Sequence, residues 1–187
     1  MADRYSQLAS RVRVPAGFAM AAIYLVFARP SPARLIIGSV VALTGLALRA
    51  ASAGHVEKNR KLAVSGPYAY SRNPLYLGSA LAGLGFCIAG GRWWFFLLLA
   101  VFFVLVYVPV MRREEVQLTR LFGNEYADFA AHVPLLFPRL RPWRSEWVQA
   151  AVPGFNLKLY LYNREYEALL AFLLIVLALW GKMAWGI

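Results

Sequence analysis

The chain has 187 residues, of which 60% are hydrophobic, and its 20 basic and 9 acidic side chains give a net charge of +11. A mean hydropathy of +0.54 exceeds that of soluble domains, so the composition predicts a membrane protein and the length predicts a single domain, residues 1–187. The basic residues stand at the ends of apolar runs, which favours anionic lipid headgroups over nucleic acid as partners. One cysteine and two distant histidines indicate neither an intrachain disulfide nor a metal site.

Apolar runs in chain order predict an all-α, polytopic membrane protein with about five transmembrane helices. The runs cover residues 14–28, 35–48, 73–91, 93–111 and 168–181. The first follows three arginines, so a signal peptide is the alternative, but Arg29-Pro30-Ser31-Pro32 is a better turn than a cleavage site. The second run ends at Arg49, which we expect to snorkel toward the membrane surface while the helix continues toward Gly54.

The third and fourth runs, separated only by Arg92, predict a tight antiparallel hairpin. Small residues in the second and third runs, among them Gly38 and Gly45, favour close contact between helices. Pro109 predicts a kink near the end of the fourth run. Cys87 lies in the third apolar run and is expected to act as a small core hydrophobe.

The region after residue 133 combines prolines with basic and aromatic residues and is expected to lie on the lipid headgroups. Arg139, Trp143 and Trp147 belong to it. Residues 155–162 alternate in polarity and would suit a strand, but Asn156 favours the start of a helix that continues directly into the last apolar run. Lys182 is expected to snorkel at the far side.

The stretch 64–78, VSGPYAYSRNPLYLG, is too rich in proline and glycine for a regular helix. Its tyrosines, Arg72 and Asn73 supply hydrogen-bond donors. Irregular backbone beside a membrane is tolerated only where it is buried in protein or lines a wet cavity, so the stretch indicates a site. The alternative is an interfacial turn whose tyrosines lie at headgroup level.

This stretch resembles the signature of the isoprenylcysteine carboxyl methyltransferase family, which also includes phospholipid methyltransferases. That signature reads Gly-x-Tyr and then Arg-His-Pro-x-Tyr-x-Gly, and here GPYAYSRNPLYLG stands in its place. The agreement continues in order through Glu114-Glu115, Phe122-Gly123-Asn124-Glu125-Tyr126 and Val133-Pro134. It covers residues 58–138.

The resemblance implies methyl transfer from S-adenosylmethionine to a lipophilic acceptor, similar to protein-S-isoprenylcysteine O-methyltransferase, with S-adenosylhomocysteine as product. An irregular cytosolic region would bind the cofactor. The residues implied to bind it are Lys58, Leu62, Ala63, Tyr68, Asn73, Pro74, Tyr76 and Glu114. The alternatives are a phospholipid or other lipid amine N-methyltransferase and, in another class, a non-catalytic membrane binding protein, which would predict polar residues within the spans.

The catalytic hypotheses concern Glu115, Arg120 and Arg72. Adjacent glutamates on a helix point about 100° apart, so one of Glu114 and Glu115 is expected to bind and the other to brace; a solvated charged face is the alternative. An amine acceptor would need a base, for which Glu115 is the candidate.

Two departures from the family pattern bear on the acceptor. Asn73 replaces the usual histidine, and Val110 replaces an arginine that holds the acceptor's carboxylate in the prenylcysteine enzymes. Arg120 is the first candidate to replace that clamp, followed by Arg112 and Arg113.

The charge distribution predicts topology and its test. With five spans and the N-terminus inside, all acidic residues and all basic residues except Arg29, Arg34, Arg92 and Lys182 lie inside, so the site faces the cytoplasm. In intact cells, after replacement of Cys87, an impermeant thiol reagent should label a cysteine placed at the Gly90-Gly91 turn and not one at Ser65 or Asn124. Labelling at the latter positions would contradict this orientation.

Overall fold

The protein is helical throughout the part that the structure, a computed structural model, describes: residues 2–57, 60–144 and 154–186. The chain is 75% helical and no strand occurs in these ranges, which confirms the predicted all-α class. Lys58 and Trp147 lie outside the described residues. The helices are α1 (Ala2–Phe27), α2 (Pro32–Ala53), α3 (Pro74–Gly90), α4 (Trp94–Phe102), α5 (Val108–His132), α6 (Leu157–Tyr162) and α7 (Tyr166–Trp185), with a 3₁₀ turn at Gly66–Ala69 and a π-helical turn at Phe103–Tyr107.

Three helices are long and apolar enough to cross a membrane, so the protein is a membrane protein. They are α2, the continuous helix Trp94–His132 that joins α4 to α5, and α7. Two further apolar helices, Pro15–Phe27 and Pro74–Gly90, are shorter. All five predicted runs are therefore helical, and a full crossing by the two shorter helices stays a prediction.

Helices α2 and α3 approach each other at glycines. A β-carbon added at Gly45 would lie 2.5 Å from both the backbone nitrogen of Ala82 and the carbonyl oxygen of Gly78. Nearer the start of α2, a β-carbon at Gly38 would likewise lie 2.4 Å from the Gly85 carbonyl oxygen and 2.6 Å from the Ala89 backbone nitrogen. The absent side chains let the two backbones touch, which confirms the close packing expected from the small residues.

The hairpin between α3 and α4 turns at Gly91, whose φ of 68° favours glycine. The Arg29 amide donates to the Gly90 carbonyl at 2.8 Å, so the turn after α1 is tied to the same place. Beneath the two turns lies a buried core to which α1, α3 and α7 contribute, and which includes Tyr24, Cys87 and Leu179. The predicted hairpin and the burial of Cys87 are both confirmed.

The bend expected at Pro109 takes the form of the π-helical turn just before it. Proline has no amide hydrogen, and its ring would collide with the carbonyl four residues earlier in a regular helix. The wider turn at Phe103–Tyr107 accommodates this and carries the chain on to α5. A second break follows at Gly123, with φ 50° and ψ −120°.

The C-terminal helices differ from the expectation of one continuous helix. Asn156 does begin α6, accepting a bond from the Lys158 amide at 2.9 Å. However, α6 ends at Asn163, and Arg164, with φ 57°, redirects the chain before α7. The Lys182 ammonium does not simply snorkel, because it donates to the carbonyls of Leu25, Val26 and Ala28 at 3.0, 3.0 and 3.2 Å and so caps α1.

The segment after α5 folds back on the loop between α2 and α3, and its contact with headgroups stays a prediction. Its backbone exchanges hydrogen bonds with that loop: Arg72 N to Pro134 O at 3.0 Å, Arg139 N to Tyr70 O at 2.9 Å and Trp143 N to Ala69 O at 2.8 Å. Trp143 is consequently buried, in a cluster with Val64, Tyr126, Phe129 and Val133. Most of the segment's other side chains are exposed, among them Phe137 and Leu140.

The described side chains refine the labelling test of topology. Ser65 and Gly90 are buried, so a cysteine at either position could escape labelling on either side of the membrane. Asn124 and Trp93 are exposed and lie toward opposite ends of the helix Trp94–His132, which makes them the better pair of labelling positions.

Replacing Gly45 should destabilise the protein. In Gly45→Ala the added carbon would force α2 away from α3, at a cost of about 1–3 kcal/mol. The measurement is the thermal unfolding midpoint in detergent. Gly181→Ala is the control, because the nearest atom to its β-carbon would be 3.8 Å away; equal midpoints for the two variants would contradict the close-packing account.

Candidate functional site

A polar cavity of about 480 Å³ lies between the loop that follows α2 and the first turns of α5. Its size suits a small-molecule ligand. Loop 61–73, the start of α3, α5 and the start of α7 all contribute to its wall. The lining residues are Arg49, Val56, Lys61, Leu62, Ala63, Tyr68, Arg72, Asn73, Leu75, Tyr76, Tyr107, Glu114, Gln117, Leu118, Phe129 and Glu165.

Glu114 is held in the cavity by Tyr76. The Tyr76 hydroxyl donates to Glu114 Oε1 at 2.7 Å, and the Tyr107 ring packs edge-on against the Tyr76 ring with centroids 5.3 Å apart. Pro74 starts α3 and, two residues later, the first turn of that helix directs the buried Tyr76 toward α5. This fixes a carboxylate in a wall to which Tyr76 and Tyr107 also contribute.

Tyr68 lies at the base of the cavity in the 3₁₀ turn and is buried. Gly66 starts that turn with φ 57°, and a β-carbon there would lie 2.6 Å from the His55 ring, so only glycine fits. Burial raises the pKa of Tyr68, and the carboxylates of Glu114 and Glu165 raise it further. The phenol therefore stays protonated and can serve as a hydrogen-bond donor.

Arg72 and Glu115 form a partly buried ion pair behind Glu114. Arg72 Nη1 donates to Glu115 Oε1 at 2.7 Å and to the Tyr126 hydroxyl at 3.1 Å. Arg112 Nη1 donates to the other carboxylate oxygen, Oε2, at 3.0 Å. The guanidinium of Arg72 lines the cavity. Its Nε is buried and has no hydrogen-bond partner among the described residues.

Arg49 and Glu165 form a second ion pair on the opposite wall. Arg49 Nε and Nη2 donate to Glu165 Oε2 and Oε1 at 2.9 and 2.8 Å, a bidentate contact between α2 and the residue before α7. Asn163 Nδ2 donates to the carbonyls of Ala53 and Val56 at 3.0 and 3.2 Å, fixing the chain beside Glu165 to the end of α2.

A second cavity, of about 340 Å³, adjoins the first and is almost entirely apolar. Residues of α1, α3, α4 and α7 line it, including Met20, Tyr24, Phe86, Leu99 and Phe172. Arg49 and Tyr107 line both cavities. A polar compartment and an apolar one therefore meet at these two side chains.

The structure brings most of the predicted site residues together. Those that line the polar cavity are Leu62, Ala63, Tyr68, Arg72, Asn73, Tyr76 and Glu114. Pro74 is buried beneath it, Glu115 lies behind Arg72, and Asn73 turns its side-chain amide to the Leu135 carbonyl at 2.9 Å. Arg120 is exposed and does not line the cavity. Lys58, expected at the cofactor, lies outside the described residues.

Arg49 and Glu165 were missed by the sequence analysis, which expected Arg49 to snorkel. The signal was present, because an arginine within an apolar helix is costly unless it has a partner or a function. Its partner lies 116 residues away in sequence. No local pattern could have supplied that pairing.

The match to known proteins agrees with this geometry. Residues 39–125 match the family model described as phospholipid methyltransferase. That segment includes most of α2, the loop, α3, α4 and α5 as far as Glu125. This segment, somewhat less than half of the chain, is similar to that methyltransferase family.

Two curated relatives resemble part of the chain. They are the cobalt-zinc-cadmium resistance protein CzcN of Cupriavidus metallidurans and the nickel-cobalt-cadmium resistance protein NccN of Alcaligenes xylosoxydans xylosoxydans, each 36% identical over 89 residues. The match covers 48% of this chain and 41% of each relative's length. No solved structure matches.

Arg72 should stabilise the protein more than Arg112, although both bind the same carboxylate. Arg72 is 11% exposed and Arg112 is 65% exposed. Arg72→Gln should lower the free energy of unfolding by about 1.5–3 kcal/mol, and Arg112→Gln by about 0–1 kcal/mol. Chemical unfolding in detergent measures both. A loss for Arg112→Gln as large as that for Arg72→Gln would contradict the bracing role of Arg72.

Proposed function

We propose that this protein transfers a methyl group from S-adenosylmethionine to a lipophilic acceptor at the cytoplasmic face of the membrane. The supporting observation is the junction of the two cavities, since a water-soluble methyl donor and a membrane-soluble acceptor need separate compartments that meet. The similarity of residues 39–125 to a phospholipid methyltransferase family supports the same reaction. The cytoplasmic orientation rests on the distribution of basic residues.

The donor set of the polar cavity fits the cofactor. S-adenosylmethionine presents a carboxylate, an ammonium, a ribose diol, an adenine and a positively charged sulfonium. Glu114 suits the ammonium or the diol, and the guanidinium of Arg72 suits the carboxylate. The aromatic faces of Tyr68 and Tyr107 suit the adenine or the sulfonium.

The cofactor supplies the reactive methyl: its carbon–sulfur bond breaks as a lone pair of the acceptor forms the new bond, leaving neutral S-adenosylhomocysteine. The protein's own work is to orient the two reactants and exclude water. Such orientation can contribute up to about 7–11 kcal/mol. The buried walls around Tyr68 and Tyr76 serve this purpose because they hold the polar cavity in a fixed shape.

The position of Glu115 bears on the choice between O- and N-methylation. A lipid amine would have to lose a proton before attack, and Glu115 was the candidate base. Two arginines occupy its carboxylate oxygens, and it does not line the polar cavity. This favours an acceptor that is a nucleophile without deprotonation, similar to a prenylcysteine carboxylate, over a phospholipid amine.

A non-catalytic binding protein is the alternative of another class. It would retain ligands in both cavities without transferring a group between them. The names of the curated relatives refer to metal resistance, and their match is too partial to decide the activity of this chain. Transfer of labelled methyl to a prenylcysteine, to phosphatidylethanolamine or to a fatty acid would separate the enzymatic possibilities.

Binding of S-adenosylhomocysteine tests the cofactor site. Calorimetry on the detergent-solubilised protein should detect binding, and Glu114→Gln or Tyr68→Ala should each weaken it roughly tenfold or more, as expected for loss of a charged or aromatic contact. Absence of binding by the wild-type protein would overturn the proposed function.

Two matched variants control this experiment. Glu125→Gln removes an exposed carboxylate from the same helix as Glu114, and Tyr70→Ala removes an exposed tyrosine two residues from Tyr68. Both should bind S-adenosylhomocysteine as the wild type does. If they weaken binding as much as the cavity variants, the polar cavity is not the cofactor site.

A further inference from the structure

The boundary between the two cavities contains one charged side chain, and its chemistry bears on the acceptor. Arg49 and Tyr107 line both cavities. Of the residues that line the apolar cavity in the described part of the chain, Arg49 alone is charged. A lipophilic molecule whose tail fills that cavity would place its polar end beside this guanidinium.

The hydrogen bonds of Arg49 leave one donor for such a ligand. Of its five N–H groups, Nε and one on Nη2 reach Glu165, and Nη1 reaches the Leu75 carbonyl at 3.5 Å and the Ser79 hydroxyl. The second hydrogen of Nη2 has no acceptor among these contacts. The side chain is 24% exposed, and it lines both cavities.

The partners of Arg49 hold the guanidinium in one orientation. Glu165 binds it in a bidentate fork, and Ser79 and Leu75 bind it from α3. A planar guanidinium fixed on two sides presents its remaining edge in a set direction, which suits recognition of an oxygen anion. Glu165 acts here as a positioning residue, because it contacts the acceptor only through Arg49.

We infer that Arg49, oriented by Glu165, binds the polar end of the acceptor and selects an oxyanion, such as a long-chain carboxylate, over an ammonium. This inference rests on the proposed function and names the acceptor class of the same site. The free N–H of the Arg49 guanidinium can donate to an oxyanion, which gains a charge-assisted hydrogen bond, whereas an ammonium has no lone pair to accept it. Arg49 thereby supplies the cation that Val110 lacks, from a different helix.

Binding of two matched probes tests the inference without requiring turnover. The protein is placed in phosphatidylcholine nanodiscs and titrated with a dansyl-labelled long-chain carboxylate and with the amine of the same chain, with empty nanodiscs subtracting simple partitioning. The wild type should bind the carboxylate roughly tenfold more tightly than the amine, or better, as a charge-assisted hydrogen bond implies.

Variants of the pair identify the residue responsible. The double variant Arg49→Gln/Glu165→Gln, which removes the pair without leaving a lone buried charge, should lose this preference. Arg49→Lys, which keeps the charge without the fork, should retain part of it. Arg164→Gln is the control, because Arg164 is an exposed neighbour of Glu165 that lines neither cavity, and it should behave as the wild type.

Binding of S-adenosylhomocysteine to each variant separates the possible failures. If S-adenosylhomocysteine binds and the wild type prefers the amine or binds neither probe, the inference about Arg49 is overturned and the proposed function stands. Retention of the carboxylate preference by both the double variant and Arg49→Lys would overturn it as well. If the wild type does not bind S-adenosylhomocysteine, the proposed function itself fails.

Discussion

The polar cavity depends on an irregular loop beside the bilayer whose backbone groups are hydrogen-bonded to another segment of the chain. Unsatisfied amides and carbonyls cost several kcal/mol away from water. In this chain, segment 134–143 meets that requirement, because it exchanges backbone hydrogen bonds with residues 69–72. Two side chains of the loop also donate to it: the Ser71 hydroxyl to Leu136 O at 2.8 Å and the Asn73 amide to Leu135 O at 2.9 Å. Trp143 then closes the back of the loop. With the backbone satisfied, the side chains of Tyr68 and Arg72 remain available to line a cavity.

Each arginine that lines the polar cavity forms an ion pair with a glutamate from another part of the chain. Glu115 holds Arg72 and Glu165 holds Arg49. A partly buried ion pair adds little net stability, because desolvation offsets much of the attraction. Its contribution here is orientation: each guanidinium is fixed beside the cavity that it lines, and the net charge near the ligands stays small. Glu114, held by the neutral Tyr76, is the carboxylate left to bind a ligand.

The sequence predicted the helices and much of the cofactor side, because those features depend on local patterns. Apolar runs gave the helix positions, small residues gave the contact between α2 and α3, and adjacency of Glu114 and Glu115 predicted that their side chains would diverge. The failures involve long-range contacts. The pairing of Arg49 with Glu165 joins distant parts of the chain, and the return of segment 134–143 is made largely by backbone atoms, which leave no mark in residue identity. Arg120 was proposed as a clamp although its helical angle directs it away from Glu114, and it is exposed.

The family match covers the two cavities unequally, and this determines what can be inferred from relatives. The family match, residues 39–125, includes Tyr68, Arg72 and Glu114, so it covers most of the polar cavity. Much of the apolar cavity comes instead from α1 and α7, with Met20, Tyr24, Phe172 and Ile175 among its lining residues, and these helices lie outside the match. Glu165, which orients Arg49, also lies outside it. Proteins that share the matched segment can therefore share a cofactor site and still differ in their acceptor sites. Helices α1 and α7, which shape much of the apolar cavity, and Glu165, which orients Arg49, are not part of that segment. The acceptor of this protein must be established from its own cavity.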